Sequence, residues 1–311
     1  MEPAFVVPAG VVFLIEEDGV TIENRGDVVL HTNFGKALKR VVSAEGSVIL
    51  HTPVTAGLLH AAGNVQVFGG ASVASLIAGG SVEVSGDLQA QSAQAGGGLD
   101  VTGNASADQL QVAGQINVGG GLSANRVHGG GLSVVGAAAL QNVELTGGLY
   151  VSGGLTSSAI HVGEMRVTGG AQLGTVQAGS VEVSGPAVVA RGLQASGFVK
   201  LLTDRIQVDV VVAPHVEVEA KAPGRINVLE SGNELGPNAL KGCFSKADYA
   251  EMFGDADSYL RDRGIDPNGV VSAPREMNVP PPRPVIAAPP PTQAQVPPPS
   301  LSVAAPVAPI A

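Results

Sequence analysis

Histidines are the residues in this chain best suited to hold a metal ion or to transfer a proton. His60, His128 and His161 each follow an apolar residue that we expect to face the interior, so their rings should point outward. Two turns of the repeat described below separate His128 from His161, a distance of about 10 Å. One metal ion cannot bridge that distance directly. We therefore predict surface histidines and no metal site; the full set is His31, His51, His60, His128, His161 and His215.

Carboxylates offer a second kind of chemistry, because a close pair can act as general acid and base. Glu83 and Asp100 occupy equivalent positions in neighbouring repeats, and Glu182 occupies that position further along the chain. No histidine, aromatic platform or substrate-sized insertion accompanies them. Arg166 and Lys200 lie on the same track. We interpret the set as alternating surface charges that pair between repeats, and we expect no enzyme activity.

Composition excludes further classes of protein. The 311 residues include 43 glycines, 21 prolines and one cysteine, Cys243, which rules out a disulfide framework and a cysteine-rich zinc site. A formal net charge of −10 argues against a general nucleic-acid binder. Glycine runs such as Gly119–Gly121 open no helix, so no nucleotide-binding loop and no cofactor are expected. The chain has no apolar run long enough to span a membrane and no basic leader, and a cytoplasmic location is the expectation.

A hexad repeat is the dominant pattern. SVEVSG occurs at Ser81 and again at Ser180, and looser copies fill the interval. Apolar residues stand at the second and fourth positions of each copy, which is the alternation of a β-strand. Two further short alternating pairs follow each hexad. The copies start at residues 10, 27, 47, 64, 81, 98, 115, 131, 148, 164, 180, 198 and 215, so that most are 16 to 18 residues apart.

Three short strands with turns between them make one triangular coil, and coils stack as parallel strands. The sequence therefore predicts an all-β protein: a single-stranded parallel β-helix of about 13 coils of 16–18 residues, spanning residues 10–231. About 17 residues enclose a narrow space that only small and β-branched side chains can fill. This explains why the chain has seven Phe, three Tyr and no Trp.

The second coil departs from the repeat, because 20 residues separate its hexad from the next where 17 is usual. The extra residues fall near Phe34, Lys36, Lys39 and Arg40. Insertions in a solenoid usually form loops on its flank. One interpretation is a contact loop for an acidic partner or a lipid headgroup, and the other is a solvated bulge.

The regions outside the repeat divide into three. Residues 1–9 are an N-terminal tail, and the apolar stretch Phe5–Ile15 could rest on a membrane surface or supply the first coil. Residues 232–278 predict a short helical cap over the C-terminal end of the β-helix, with Ser245 and Asp248 as a capping box; the alternative is a docking helix for a partner. Residues 279–311 are a disordered proline-rich tail, which could bind protein partners. The helical region has an apolar face of Tyr249, Met252 and Phe253.

The hexads SVEVSG and GLYVSG, the LIAGG run at Leu76 and the proline-rich tail resemble the bactofilins, a family of bacterial polymer-forming cytoskeletal proteins. The resemblance covers roughly Gly10 to Val228. It implies a right-handed β-helix, end-to-end polymerisation without nucleotide, a membrane-associated scaffold role and flexible termini. The chain departs from the family in its longer core and in the helical region after residue 232. A cap at one end would block one polymer interface and favour capped dimers or an adaptor.

The physical case for self-association does not require that resemblance. The end of a β-helix presents strand edges and an apolar cross-section, which a second copy can cover. We expect the N-terminal coil to be the interface, through Val11, Phe13, Val20 and Ile22. Two alternatives stay open: a phage or surface fibre component that trimerises side by side, and an enzyme or accessory protein with a site on its flank.

Overall fold

A computed structural model describes residues 12–17, 19–31, 37–222, 224–231, 251 and 255–265. Within these residues the chain is nearly all β, with about 12 turns of a parallel β-solenoid and one short helix, α1 (Ala256–Arg261). The all-β solenoid predicted from the repeat is therefore confirmed. The predicted tails, residues 1–9 and 279–311, lie outside the described residues.

The strands run in one continuous sheet that winds around the solenoid. Their bounds are β1 Val12–Glu16, β2 Gly19–Asn24, β3 Val28–Leu30, β4 Leu38–Ser43, β5 Val48–Leu50, β6 Val54–Ala61, β7 Val65–Val67, β8 Ala71–Ala78, β9 Val82–Val84, β10 Leu88–Ala95, β11 Leu99–Val101, β12 Ala105–Val118, β13 Leu122–Val134, β14 Ala138–Leu145, β15 Gly148–Val151, β16 Leu155–Val167, β17 Ala171–Ala213, β18 His215–Ala220 and β19 Arg225–Ser231.

Each coil has three faces, which the coil of β6 and β7 illustrates. Face B carries the inward pair Val54 and Ala56, face C carries Leu59 and Ala61, and face A is the hexad strand β7. Each face pairs in parallel with the same face 17 residues further on, as Leu59 pairs with Leu76. Inward side chains therefore stack in six columns, and outward side chains of one repeat position stack in columns on the surface.

The core is built from Val, Leu, Ile and Ala, as the alternation predicts. The inward residues Val82, Val84, Leu99 and Val101 are all buried. Ser157 is a polar residue at an inward position, and its hydroxyl donates a hydrogen bond to the carbonyl of Gln141 at 3.3 Å. A buried hydroxyl is tolerated there because the neighbouring coil supplies an acceptor.

The corners hold the coils in register through short polar side chains and close backbone approach. The amide of Ser81 donates to Asn64 Oδ1 at 2.8 Å, and the amide of Gly98 donates to Ser81 Oγ at 3.1 Å. At Gly96 a Cβ atom would overlap the carbonyl oxygen of Gly79 in the preceding coil. Many of the glycines are therefore a consequence of coil stacking at the corners.

The N-terminal end differs from the prediction. The hexad at Gly10 does not form a parallel coil, because β1 pairs antiparallel with β2, with Phe13 opposite Ile22 and Glu16 opposite Gly19. Only two residues separate the strands. A parallel connection needs a dozen residues or more, whereas an antiparallel hairpin needs only two. The solenoid therefore begins at β2, which pairs in parallel with β4.

The placement of the C-terminal helical segment also differs from the prediction. The described segment 255–265 packs on the flank of the solenoid, at face C, rather than across its end. Leu260 and Ile265 are buried in a cluster with Val210 and Val228. Asp255 caps α1 by accepting a hydrogen bond from the amide of Ser258 at 3.1 Å. The capping box at Ser245 and Asp248, and the apolar face of Tyr249, Met252 and Phe253, lie outside the described residues.

Candidate self-association surface at the N-terminal coils

Strand β1 exposes three apolar side chains at the N-terminal end of the stack. Val12, Leu14 and Ile15 are 46 %, 51 % and 64 % exposed. Among the described strands, β1 pairs with β2 alone. Apolar side chains on the last strand of a stack are suited to burial against another protein surface.

The interface residues predicted from sequence occupy different places. Val20 and Ile22 lie in the core at 1 % and 3 % exposure, so their side chains are not part of the exposed surface at this end. The reason is that β2 is a parallel member of the solenoid, and its inward side chains fill the first coil. Phe13 packs partly against that core. Val11 lies outside the described residues.

A separate column of stacked rings lies along face A of the first three coils. The rings of His31 and His51 have centroids 4.3 Å apart and an interplanar angle of 9°, and the rings of His51 and Phe68 are 5.0 Å apart at 3°. Val29 lies two positions before His31 and is also exposed. The column was missed, although the signal is in the sequence: the three residues share the fifth position of DVVLHT, SVILHT and NVQVFG.

The predicted contact loop is only partly described. Lys39 and Arg40 lie on strand β4, not in a loop. Lys39 Nζ lies 2.8 Å from Glu16 Oε2 and Arg40 Nε lies 3.0 Å from Glu23 Oε1, so both cations tie the β1–β2 hairpin to strand β4 of the second coil. The predicted contact residues Phe34 and Lys36 lie outside the described residues.

Neither a metal centre nor a membrane-crossing helix occurs in the part of the chain that the structure describes. No family model, curated protein or solved structure matches this chain.

The carboxylates considered for catalysis accept hydrogen bonds from neighbouring side chains on face A. Glu83 accepts a hydrogen bond from Gln66 Nε2 at 2.9 Å, and Asp100 accepts one from Asn117 Nδ2 at 2.6 Å. Glu83 and Asp100 do lie on adjacent coils, as predicted. The partner of Glu83 lies on the preceding coil and the partner of Asp100 lies on the following coil. The four side chains therefore form a ladder of polar residues along the surface.

Charged partners continue that ladder towards the C-terminal coils. Arg166 Nε lies 3.1 Å from Glu182 Oε2, and Lys200 Nζ lies 2.9 Å from Glu217 Oε2. The hydrogen bond from Lys200 to Glu217 raises the pKa of the lysine above its ordinary value. The predicted pairing of charges along the track is therefore confirmed for Arg166 and Glu182. Lys200 pairs with the following coil.

The remaining histidines point outward, as predicted. His128 Nδ1 lies 3.3 Å from Glu144 Oε2, and His161 Nδ1 lies 3.2 Å from Gln177 Oε1. These residues line a groove of about 530 Å³ on face C. A larger groove of about 1050 Å³ on face B is lined by small side chains such as Thr55, Ser72 and Ser106.

Proposed function

We propose that this chain is a structural protein that self-associates end to end, without nucleotide, through its N-terminal coils. The observation that carries the proposal is the exposure of three apolar side chains on β1, those of Val12, Leu14 and Ile15. The stacked column of His31, His51 and Phe68 adds aromatic surface close to the same end. Support from sequence comes from the resemblance to bactofilins.

The symmetry of such a contact decides what it can build. Two copies that meet through the same strand form an isologous contact, which closes into a dimer. Growth into a filament needs a second contact at the C-terminal end of the solenoid. The N-terminal contact alone therefore makes a rod of twice the length, and a second contact makes a polymer.

The role that fits this assembly is a scaffold that positions partners. We propose a cytoplasmic location, with the N-terminal apolar stretch as a contact to the membrane surface and the proline-rich tail as a contact to protein partners. A catalytic role has less support, because Glu83 and Asp100 are both held by neighbouring amides.

A matched pair of substitutions tests the self-association. Ile15 and Val135 are almost equally exposed, at 64 % and 62 %, but Val135 lies on a central coil. Sedimentation velocity and negative-stain electron microscopy on the full chain should show rods longer than one solenoid. Ile15→Arg should reduce them to single solenoids, because an unpaired charge cannot be buried cheaply. Val135→Arg should leave them unchanged.

Two results would contradict the proposal. One is a wild-type chain that stays monomeric at high concentration. The other is an equal response to Ile15→Arg and Val135→Arg. A side-by-side trimer, detected by its mass, would point instead to a fibre protein.

A further inference from the structure

One column of outward side chains on face C changes character towards the C-terminal end of the solenoid. In each coil its member directly precedes the first inward residue of that face. In the central coils the column is polar, as at Gln109 and Arg126. In the last coils it consists of Gly192, Val210 and Val228. The last coils therefore carry an apolar strip on the outside of the solenoid.

The docked segment, residues 255–265, covers this strip. Leu260 and Ile265 form a cluster with Val210 and Val228 that is separate from the main core. All four side chains are at most 1 % exposed. The apolar strip is thus a site that has an occupant, and the occupant shows which chemistry the site accepts.

Polar contacts surround that apolar centre. Arg263 Nε lies 3.5 Å from Asp209 Oδ2. An apolar centre with a polar rim is the usual anatomy of a protein interface. Solenoid side chains also donate hydrogen bonds to three consecutive carbonyls of the docked segment, from Arg191 to Asp262 at 3.3 Å, from Thr175 to Arg263 at 2.9 Å and from Gln177 to Gly264 at 3.2 Å.

A glycine on each side allows the two surfaces to meet. A Cβ atom at Gly192 would lie 2.8 Å from Ile265 Cδ1 and 3.0 Å from Arg263 O, so the seat of Ile265 exists because residue 192 has no side chain. On the docked segment, Gly264 has a φ of +71°, and a Cβ atom there would lie 2.9 Å from Thr175 Oγ1. The site and its occupant are therefore fitted to each other.

A long connection joins the docked segment to the solenoid. Residues 232–255, which are 24 in number, link β19 to α1, and a chain of that length can span up to about 80 Å. A flexible connection supplies an effective concentration on the order of 1 mM. Docking within one copy therefore needs a dissociation constant no weaker than about 1 mM. Two copies can make the same contacts by exchanging segments, because an exchanged element re-forms its original interactions.

We propose that face C of the last coils is a docking site for the segment 255–265 of a second copy, and that a copy's own segment occupies the site until exchange. Reciprocal exchange closes a dimer at the C-terminal end of the solenoid. Because the own segment competes at an effective concentration on the order of 1 mM, exchange requires high protein concentration. The exchange goes beyond the N-terminal contact and does not rest on it. With both contacts, each copy meets a partner at each end, which builds a polymer.

Fluorescence anisotropy with the full chain tests the site. The probe is a fluorescein-labelled, amidated peptide with the sequence of residues 255–265, Asp-Ala-Asp-Ser-Tyr-Leu-Arg-Asp-Arg-Gly-Ile. Ile265→Arg releases the chain's own segment, because an arginine cannot be buried cheaply against Val210. This variant should bind the peptide about threefold or more tightly than the wild-type chain, whose site is occupied. Ser258→Arg places the same charge on an exposed position of α1 and should bind like the wild type.

A mixing experiment tests the exchange itself. Every chain carries Ile15→Arg, so that the N-terminal contact does not contribute. Gly192→Leu fills the seat of Ile265 and leaves a free segment, whereas Ile265→Arg leaves a free site. At the concentration that saturates the peptide titration, sedimentation velocity should show monomers for each variant alone and heterodimers for their mixture. One variant supplies the segment and the other supplies the site.

Three outcomes would overturn the proposal. The first is no rise in anisotropy when the peptide is titrated with Ile265→Arg up to about 1 mM. The second is equal peptide binding by Ile265→Arg and Gly192→Leu. The third is a mixture of the two variants that sediments as monomers, which would confine the segment to its own copy.

Two controls keep these results separate from other causes. Circular dichroism melts establish that each variant folds, and Gly192→Leu should retain the solenoid because the nearest atoms to a new Cβ belong to the docked segment. Failure of the N-terminal contact would appear as identical sedimentation of the wild-type chain and Ile15→Arg in dilute solution. That result leaves the exchange test unchanged.

Discussion

The central coils and the N-terminal coils follow the same repeat but present different surfaces. In the central coils the middle residue of face A is polar, as in Gln66, Glu83 and Asp100, and it pairs with the next coil. In the first coils that position holds Val29 and Ile49, and the stack ends in an antiparallel hairpin. A central coil has neighbours on both sides, whereas an end coil has one. The end must therefore be covered by something other than the repeat.

Substitutions in the core should lower the free energy of unfolding the most. Leu99→Ala in a central coil and Leu38→Ala in an N-terminal strand both remove a buried side chain, and each should cost about 2–5 kcal/mol. Their consequences should differ, because stability in a solenoid is coupled mainly between neighbours. Leu99→Ala should lower the whole unfolding transition. Leu38→Ala should open the N-terminal coils first.

Hydrogen exchange measured by mass spectrometry separates these two behaviours. In Leu38→Ala, the amides of β2 and β4 should lose protection while those of β12 to β16 keep theirs. Uniform loss of protection in both variants would mean that the two regions unfold as one unit. That result would contradict the prediction that the N-terminal coils open first.

A smaller effect is expected at the corners. In Gly96→Ala the new Cβ atom meets the carbonyl of Gly79, so the free energy of unfolding should fall by about 1–3 kcal/mol. At Gly26, near the N-terminal end, the nearest atom to a new Cβ is Asn24 Nδ2 at 3.9 Å. Gly26→Ala should therefore be neutral or stabilising by up to about 1 kcal/mol. Chemical denaturation of both variants measures the difference in their free energies of unfolding. Equal losses of stability would show that the corners are packed as tightly at the N-terminal end as in the middle.

The smallest effect is expected from surface charge, which should not distinguish the two regions. Arg40→Gln breaks the ion pair with Glu23 at the N-terminal end, and Arg166→Gln breaks the ion pair with Glu182 in a later coil. Both arginines are about half exposed, so each loss should be at most about 1 kcal/mol. Thermal melts at low and high salt check this. A loss of stability that is large at one site and persists at high salt would contradict this prediction, because it would show that the ion pair at that site is not a weak, screened surface interaction.

Sequence periodicity predicted the parts of this molecule that depend on local alternation. The inward pairs, such as Val183 followed by Val188 and Ala190, are buried as expected. Outward histidines and the charged track could be placed because the side chains of a strand alternate between two faces. The stacked rings of His31, His51 and Phe68 could also have been found by aligning the hexads, since equivalent positions lie above one another.

Other features depend on contacts that no local pattern encodes. The Gly10 hexad has the alternation of a coil strand, yet its partner is the antiparallel strand β2. The sequence predicted a helical cap within residues 232–278 over the C-terminal end, but it could not show that the segment 255–265 packs on face C. That choice rests on Gly192, which leaves room for Ile265, and on Thr175 and Gln177, which bind the backbone of the segment.

The sequence by itself determined that this chain is a thin β-solenoid with small inward residues and glycine at its corners, because a fixed period and a strict alternation leave one way to bury the apolar positions. Only the tertiary structure decided what lies at the N-terminal end and on the flank. There the hairpin and the docked segment depend on which surfaces meet across long stretches of chain, and the repeat carries no information about those contacts.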